Sequence, residues 1–128
     1  MPFHVPEAAV DAMIGALIGA VDVDGGPTTE QAVVLGAIAA HVWSRPGLDI
    51  AAIEPLEPDA AAGVLADPIL RRRFHEIVIA LEVCRHPLTA IQVVRVEAYC
   101  AAMGVVGPDL AMLRDLDRKS TRLNSSHI

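Results

Sequence analysis

The stretch ALIGAVDVDGGPTTEQAVVLGAIAAHVW, residues 16–43, decides the fold class of this 128-residue chain. An apolar helical run ends in the turn DVDGGP, residues 22–27, which breaks the helix. Thr28 followed by Gln31 is the pattern of a capping box, which opens a second helix rich in alanine and valine. The stretch therefore predicts two apolar helices joined as a hairpin.

Apolar spacing and cap residues predict more helices along the chain. We expect five, at about residues 6–21, 28–43, 58–66, 68–84 and 89–104, with a short helical turn within 48–57 and a sixth helix opening at Gly107-Pro108. Gly15 and Gly19 could mark a close helix–helix crossing. Apolar spacing also predicts which side chains face inward. In the second helix they are Val33, Val34, Leu35, Ile38 and Val42. In the fourth they are Ile69, Leu70, Phe74, Ile77, Val78, Leu81 and Cys84, and in the fifth they are Val93, Val94, Val96, Tyr99, Cys100 and Met103.

The second capped helix repeats the first at an offset of 61 residues, so that Thr28 matches Thr89 and Gln31 matches Gln92. The sequence therefore predicts an all-α fold, a compact bundle of five to six helices with a weak internal duplication of a capped helical hairpin.

An apolar helix followed by A-x-D-G-x-x-T-x-E-Q resembles the tellurite-resistance TerB-like family over about residues 8–116. Asp24, Gly25, Thr28 and Glu30 stand at matching positions, whereas Gln31 and Arg85-His86 replace acidic residues of the family pattern. The resemblance implies a helical bundle from a family that acts mostly in stress-response and membrane-associated complexes. It also implies acidic residues that have been proposed to bind metal.

Residues 117–128, DRKSTRLNSSHI, differ from the rest and resemble the translation of a sequencing-adapter oligonucleotide. We therefore expect a single TerB-like domain at 1–116, truncated at its C-terminus, and a non-native or disordered tail. Residues 1–116 hold fifteen acidic residues and seven arginines, a formal charge of −8. That charge argues against binding to nucleic acid or to anionic membranes.

Two cysteines without a CxxC pattern, and no secretory signal, predict a reduced, cytoplasmic protein. The longest strongly apolar run, residues 12–21, is too short for a transmembrane segment.

Asp22, Asp24 and Glu30 form the acidic cluster that could bind Ca²⁺ or Mg²⁺ weakly through oxygen ligands. In the alternative interpretation the turn is a helix connector, and the acidic residues complement the dipole of the next helix. Turn and cap chemistry already explains every residue of the cluster, which favours the connector.

The remaining candidates favour structural roles. The histidines lack zinc-site spacing, and His75-Glu76 fails the HExxH pattern because position 79 is Ile79. Arg71-Arg72-Arg73 could bind an anionic ligand or partner. Three consecutive positions span much of a helix circumference, however, so we expect solvation or pairing with Asp67 and Glu76. Cys84 and Cys100 are expected to be buried structural thiols.

No catalytic constellation is readable, and no cofactor site beyond the weak metal site. We therefore expect a non-enzymatic interaction or scaffold module of the TerB-like type that uses an apolar helix face to meet a protein partner or a second copy. The alternatives are a divalent-metal-binding domain and the N-terminal module of a longer enzyme.

Overall fold

The structure, a computed structural model, describes residues 4–23, 25–85 and 89–105. Within them five α-helices form an all-α bundle: α1 at Val10–Val21, α2 at Thr29–His41, α3 at Pro58–Val64, α4 at Pro68–Val83 and α5 at Ala90–Met103. Short 3-10 turns lie at Glu7–Ala9 and Ile50–Ala52. The predicted fold class is therefore confirmed, and the predicted sixth helix lies outside the described residues.

Both predicted capping boxes are present. The Thr28 hydroxyl accepts from the Gln31 backbone N–H, and the Gln31 side chain accepts from the Thr28 N–H, both at 3.1 Å. Thr89 and Gln92 repeat this exchange at the start of α5. Gly104 ends α5 in the left-handed conformation with φ of 71°, where a glycine is least strained.

Helix α1 is the centre of the bundle and packs against α3, α4 and α5, whereas α2 packs against α4. Ten of the twelve residues of α1 are buried, including every residue from Met13 to Val21. An isolated helix that is apolar on all sides would be insoluble, so α1 needs neighbours on every face. Among the described residues, no helix combines the length and apolarity that crossing a bilayer requires.

The close approach at Gly15 and Gly19 involves an extended segment, residues 54–57, rather than the helix–helix crossing that the sequence suggests. The Leu56 N–H donates to the Gly15 carbonyl at 3.0 Å. A Cβ atom at Gly19 would lie closer than 3.0 Å to both the Leu56 carbonyl oxygen and the Tyr99 hydroxyl. Only glycine leaves room for this segment on α1.

The prediction that Val33, Ile69 and Val94 face inward is wrong. These side chains are exposed by 65%, 61% and 66%. Successive helical residues are rotated by about 100°, so a run of adjacent valines cannot all face the core. Val34 and Val93 take the inward positions beside Val33 and Val94. Ile69 lies in the first turn of α4.

We predict that Gly19→Ala lowers the free energy of unfolding by about 3 kcal/mol, because the added methyl group must displace the Leu56 backbone or the Tyr99 hydroxyl. Gly36→Ala is the matched control. Gly36 also lies inside a helix, but a Cβ atom there meets nothing within 4 Å. Gly36→Ala should stabilise by about 0.5–1 kcal/mol through helix propensity. Urea unfolding measures both, and equal effects would contradict the close approach.

Candidate functional site

The acidic turn predicted as a metal site is only partly described. Asp22 is the exposed C-cap of α1, and Glu30 is exposed in the first turn of α2, whereas Asp24 lies outside the described residues. Within the described part of the chain, no group of three or more His, Cys, Asp and Glu side chains is placed to hold a metal ion. The three-carboxylate site therefore stays a prediction.

Arg85 reaches the same turn from the end of α4. Its guanidinium donates to the Gly26 carbonyl at 3.2 Å and to the Val23 carbonyl at 3.3 Å. Arg85 is only 8% exposed, so the turn is fastened to α4 by a buried positive charge. Two carbonyl oxygens that could have joined a cation site are thereby engaged, and the nearby charge disfavours a second cation.

Glu82 lies one turn before Arg85 and is the most unusual acid in the described residues. It is 1% exposed, and neither carboxylate oxygen has a hydrogen-bond partner among those residues. Burial raises the pKa of Glu82 to about 7, although the charge of Arg85 acts in the opposite direction. Near neutral pH this carboxyl group therefore changes its protonation state inside the protein.

A second polar cluster holds the extended segment against α1 and α5. The Tyr99 hydroxyl donates to the Leu56 carbonyl, and Arg95 Nε donates to the Gly19 carbonyl at 3.0 Å. Arg95 also contacts the Tyr99 hydroxyl at 3.2 Å and Glu57 at 3.4 Å. Burial raises the pKa of Tyr99 to about 12, partly opposed by Arg95, so the phenol remains a proton donor. This cluster is structural.

The three consecutive arginines of α4 have three different environments. Arg73 pairs with Glu76 at 3.2 Å, as expected, and Arg72 is exposed. Arg71 departs from the expectation of solvation or pairing with an acid, because its guanidinium donates to the carbonyls of Leu65, Ala62 and Met103. It thereby joins the C-terminal ends of α3 and α5 to α4.

Histidines and cysteines show no catalytic pairing within the described part of the chain. His4 and His41 are exposed and His75 is buried, whereas His86 lies outside the described residues. Cys84 is half-buried and Cys100 is buried. Burial, with a smaller contribution from Glu97, raises the pKa of Cys100 to about 11. That thiol is therefore a poor nucleophile.

Helix α5 turns one apolar stripe outward, which we call the α5 face: Ile91, Val94, Ala98 and Ala101. All four are exposed, and their spacing of three, four and three residues aligns them along the helix. The opposite side of α5 is buried through Val96, Tyr99 and Met103. The helix is therefore apolar on both its inner and its outer side.

The burial of Arg85 and Glu82 was not predicted from the sequence. A signal was available for Glu82, because it lies four residues after Val78 and next to Leu81 on the predicted inward stripe. Arg85 gave no comparable signal, since its carbonyl partners lie about sixty residues away in the chain.

Comparisons of this chain with protein-family models, curated proteins and solved structures find no match. The chemistry of its sites therefore rests on the geometry above.

We predict that millimolar Ca²⁺ or Mg²⁺ shifts the thermal midpoint equally in this protein and in Asp24→Asn, because the Arg85 guanidinium already engages two carbonyl oxygens of the turn. An ion bound by Asp22, Asp24 and Glu30 would stabilise only the native state and would raise the midpoint by mass action. A larger shift in the unsubstituted protein than in Asp24→Asn would establish the metal site and refute the connector.

The raised pKa of Glu82 predicts how stability depends on pH. Between pH 4.5 and about 7 the native state holds a proton that the unfolded chain releases, so the free energy of unfolding falls as the pH rises through this window. We expect Glu82→Gln to raise the thermal midpoint at about pH 8 and to change it much less near pH 4, where both forms are neutral.

Glu76→Gln is the control for that measurement, because it removes the same charge from α4 at a partly exposed position. Glu76→Gln should not raise the thermal midpoint at about pH 8. A destabilised Glu82→Gln at about pH 8 would mean that the attraction between Glu82 and Arg85 outweighs the cost of burial.

Proposed function

We propose that this chain is a non-enzymatic helical interaction module of the TerB-like type, and that the α5 face is its docking surface. The exposed stripe on α5 is the observation that carries this proposal. Ile91 and Val94 are exposed by 60% and 66%, and the stripe contains no charged residue. A continuous apolar stripe beside a charged surface is typical of an interaction site.

The α5 face has a shape that suits a second copy of this chain. Its larger side chains lie near the N-terminus of the helix, and its two alanines lie near the C-terminus. In an antiparallel pair whose twofold axis passes between Val94 and Ala98, Ile91 would meet Ala101 of the second copy and Val94 would meet Ala98. Large residues would then fill the space above small ones, which allows close helix packing.

The expected dimer is weak. Specific interfaces bury about 1,200–2,000 Å² in total, and one four-residue stripe supplies less than that. The acidic charge of the chain also opposes self-association. We therefore expect a dissociation constant of the order of 10–100 µM.

Val94→Glu tests this proposal, because it places a charge at the centre of the α5 face. We expect it to weaken dimerisation at least about tenfold in sedimentation equilibrium, since a desolvated, unpaired carboxylate is costly. Val33→Glu is the matched control, because Val33 is the equivalent position of α2 and is 65% exposed.

Loss of the dimer in Val94→Glu but not in Val33→Glu is the predicted result. A monomer at every concentration up to about 1 mM, or equal loss in both variants, would overturn self-association through the α5 face.

A further inference from the structure

A cavity of about 620 Å³ lies where the beginning of α4 meets the end of α5. Pro68, Arg72 and His75 of α4 line one side, and Met103 and Val105 line the other. Pockets for small molecules typically have volumes of about 300–1,000 Å³. The cavity contains no residue of the α5 face, although Met103 lies only two residues beyond Ala101.

The cavity is positively charged although the chain as a whole is acidic. Every titratable side chain that lines it among the described residues is basic, namely Arg71, Arg72 and His75. The full chain has a formal net charge of −6. Pro68 begins α4 and Met103 ends α5, so opposite ends of two helix dipoles meet here and the arginines decide the charge of the cavity. An anion is therefore the favoured occupant.

His75 supplies an independent sign of a missing partner. It is only 8% exposed, and its Nε2 atom is buried without a hydrogen-bond partner among the described residues. Buried polar atoms are nearly always paired, because an unpaired one loses its hydration without compensation. Nε2 itself has almost no accessible surface, so a ligand oxygen in the cavity would reach this nitrogen only after the imidazole ring rotates.

Arg71 and Arg72 have different roles at the cavity. Arg71 donates at 2.7, 3.0 and 3.1 Å to the Leu65, Ala62 and Met103 carbonyls, which fixes the wall of the cavity. Arg72 forms no hydrogen bond or ion pair with the described residues and is exposed at the cavity. A guanidinium can bind a carboxylate or a phosphate through two parallel hydrogen bonds.

We propose that this cavity binds the oxyanion of a small molecule, a carboxylate or phosphate group, on the Arg72 guanidinium, and that the His75 ring rotates so that Nε2 contacts the same group. Met103 and Val105 would contact an apolar body attached to that group. This site does not depend on the proposed interaction through the α5 face.

Calorimetric titration of the full chain with inorganic phosphate and with benzoate, at constant ionic strength, tests the site. Binding of phosphate but not benzoate would indicate a phosphorylated ligand, and the reverse would indicate an organic acid. We expect Arg72→Gln to weaken binding of the favoured probe about tenfold, because it removes a charge-assisted contact.

Arg73→Gln is the matched control. It removes the same charge one residue away, but Arg73 pairs with Glu76 and does not line the cavity. We expect Arg73→Gln to change the affinity for the favoured probe less than twofold. Because Arg72 is exposed, its substitution should leave the fold intact, and circular dichroism checks this. His75→Gln should also weaken binding.

Equal weakening in Arg72→Gln and Arg73→Gln would show general charge screening and would overturn the site. Failure of both probes to bind at about 10 mM would also overturn it.

Discussion

The approach of the Leu56 backbone to α1 is the contact on which the rest of the bundle depends. Leu56 donates to the Gly15 carbonyl and accepts from the Tyr99 hydroxyl, so one extended residue joins α1 to α5. Arg95 closes the arrangement by donating to the Gly19 carbonyl. Since α3 begins two residues after Leu56, these bonds also fix where α3 meets α1 and α5.

The two ends of the bundle use arginine in the same way. At one end Arg85 donates to the carbonyls of the turn between α1 and α2. At the other, Arg71 donates to carbonyls near the ends of α3 and α5. Backbone carbonyls at helix ends and in turns lack the partners that regular helix supplies, and a guanidinium with several N–H donors can satisfy two or three of them. Both arginines are thus used to join helices.

The helices and their caps could be predicted from the sequence because their signals are local. Thr28 and Gln31 are three residues apart, and Gly104 follows the last apolar repeat directly. The packing partners of Gly19 and Arg85 could not be predicted, since they depend on residues that meet only after the chain folds. Adjacent valines also left the orientation of α5 ambiguous, and Val94 faces outward although Val93 is buried.

The two proposals rest on an apolar stripe and on polar groups that have no partner in the described part of the bundle. The buried stripe of α5 accounts for its place in the fold, but its outer stripe of Ile91, Val94, Ala98 and Ala101 has no structural task in the described residues. Likewise Arg71 is fully engaged by carbonyls, whereas Arg72 and His75 Nε2 are not. Non-polar surface without a covering partner and an unpaired polar atom both cost free energy, and the two proposals assign a partner to each.

Hydrogen exchange of the Leu56 amide in the native state tests most directly whether the contact with α1 holds the bundle together. This amide lies outside any helix, yet its carbonyl partner belongs to the buried residue Gly15. If this contact holds the bundle together, the Leu56 amide exchanges only through global unfolding, with the same opening free energy as the amides in the centre of α1. The Ala51 amide bonds only to the exposed side chain of Asp49 and should exchange by local opening. Exchange of the Leu56 amide as fast as that of the Ala51 amide would show that the bundle does not depend on the contact between Leu56 and α1.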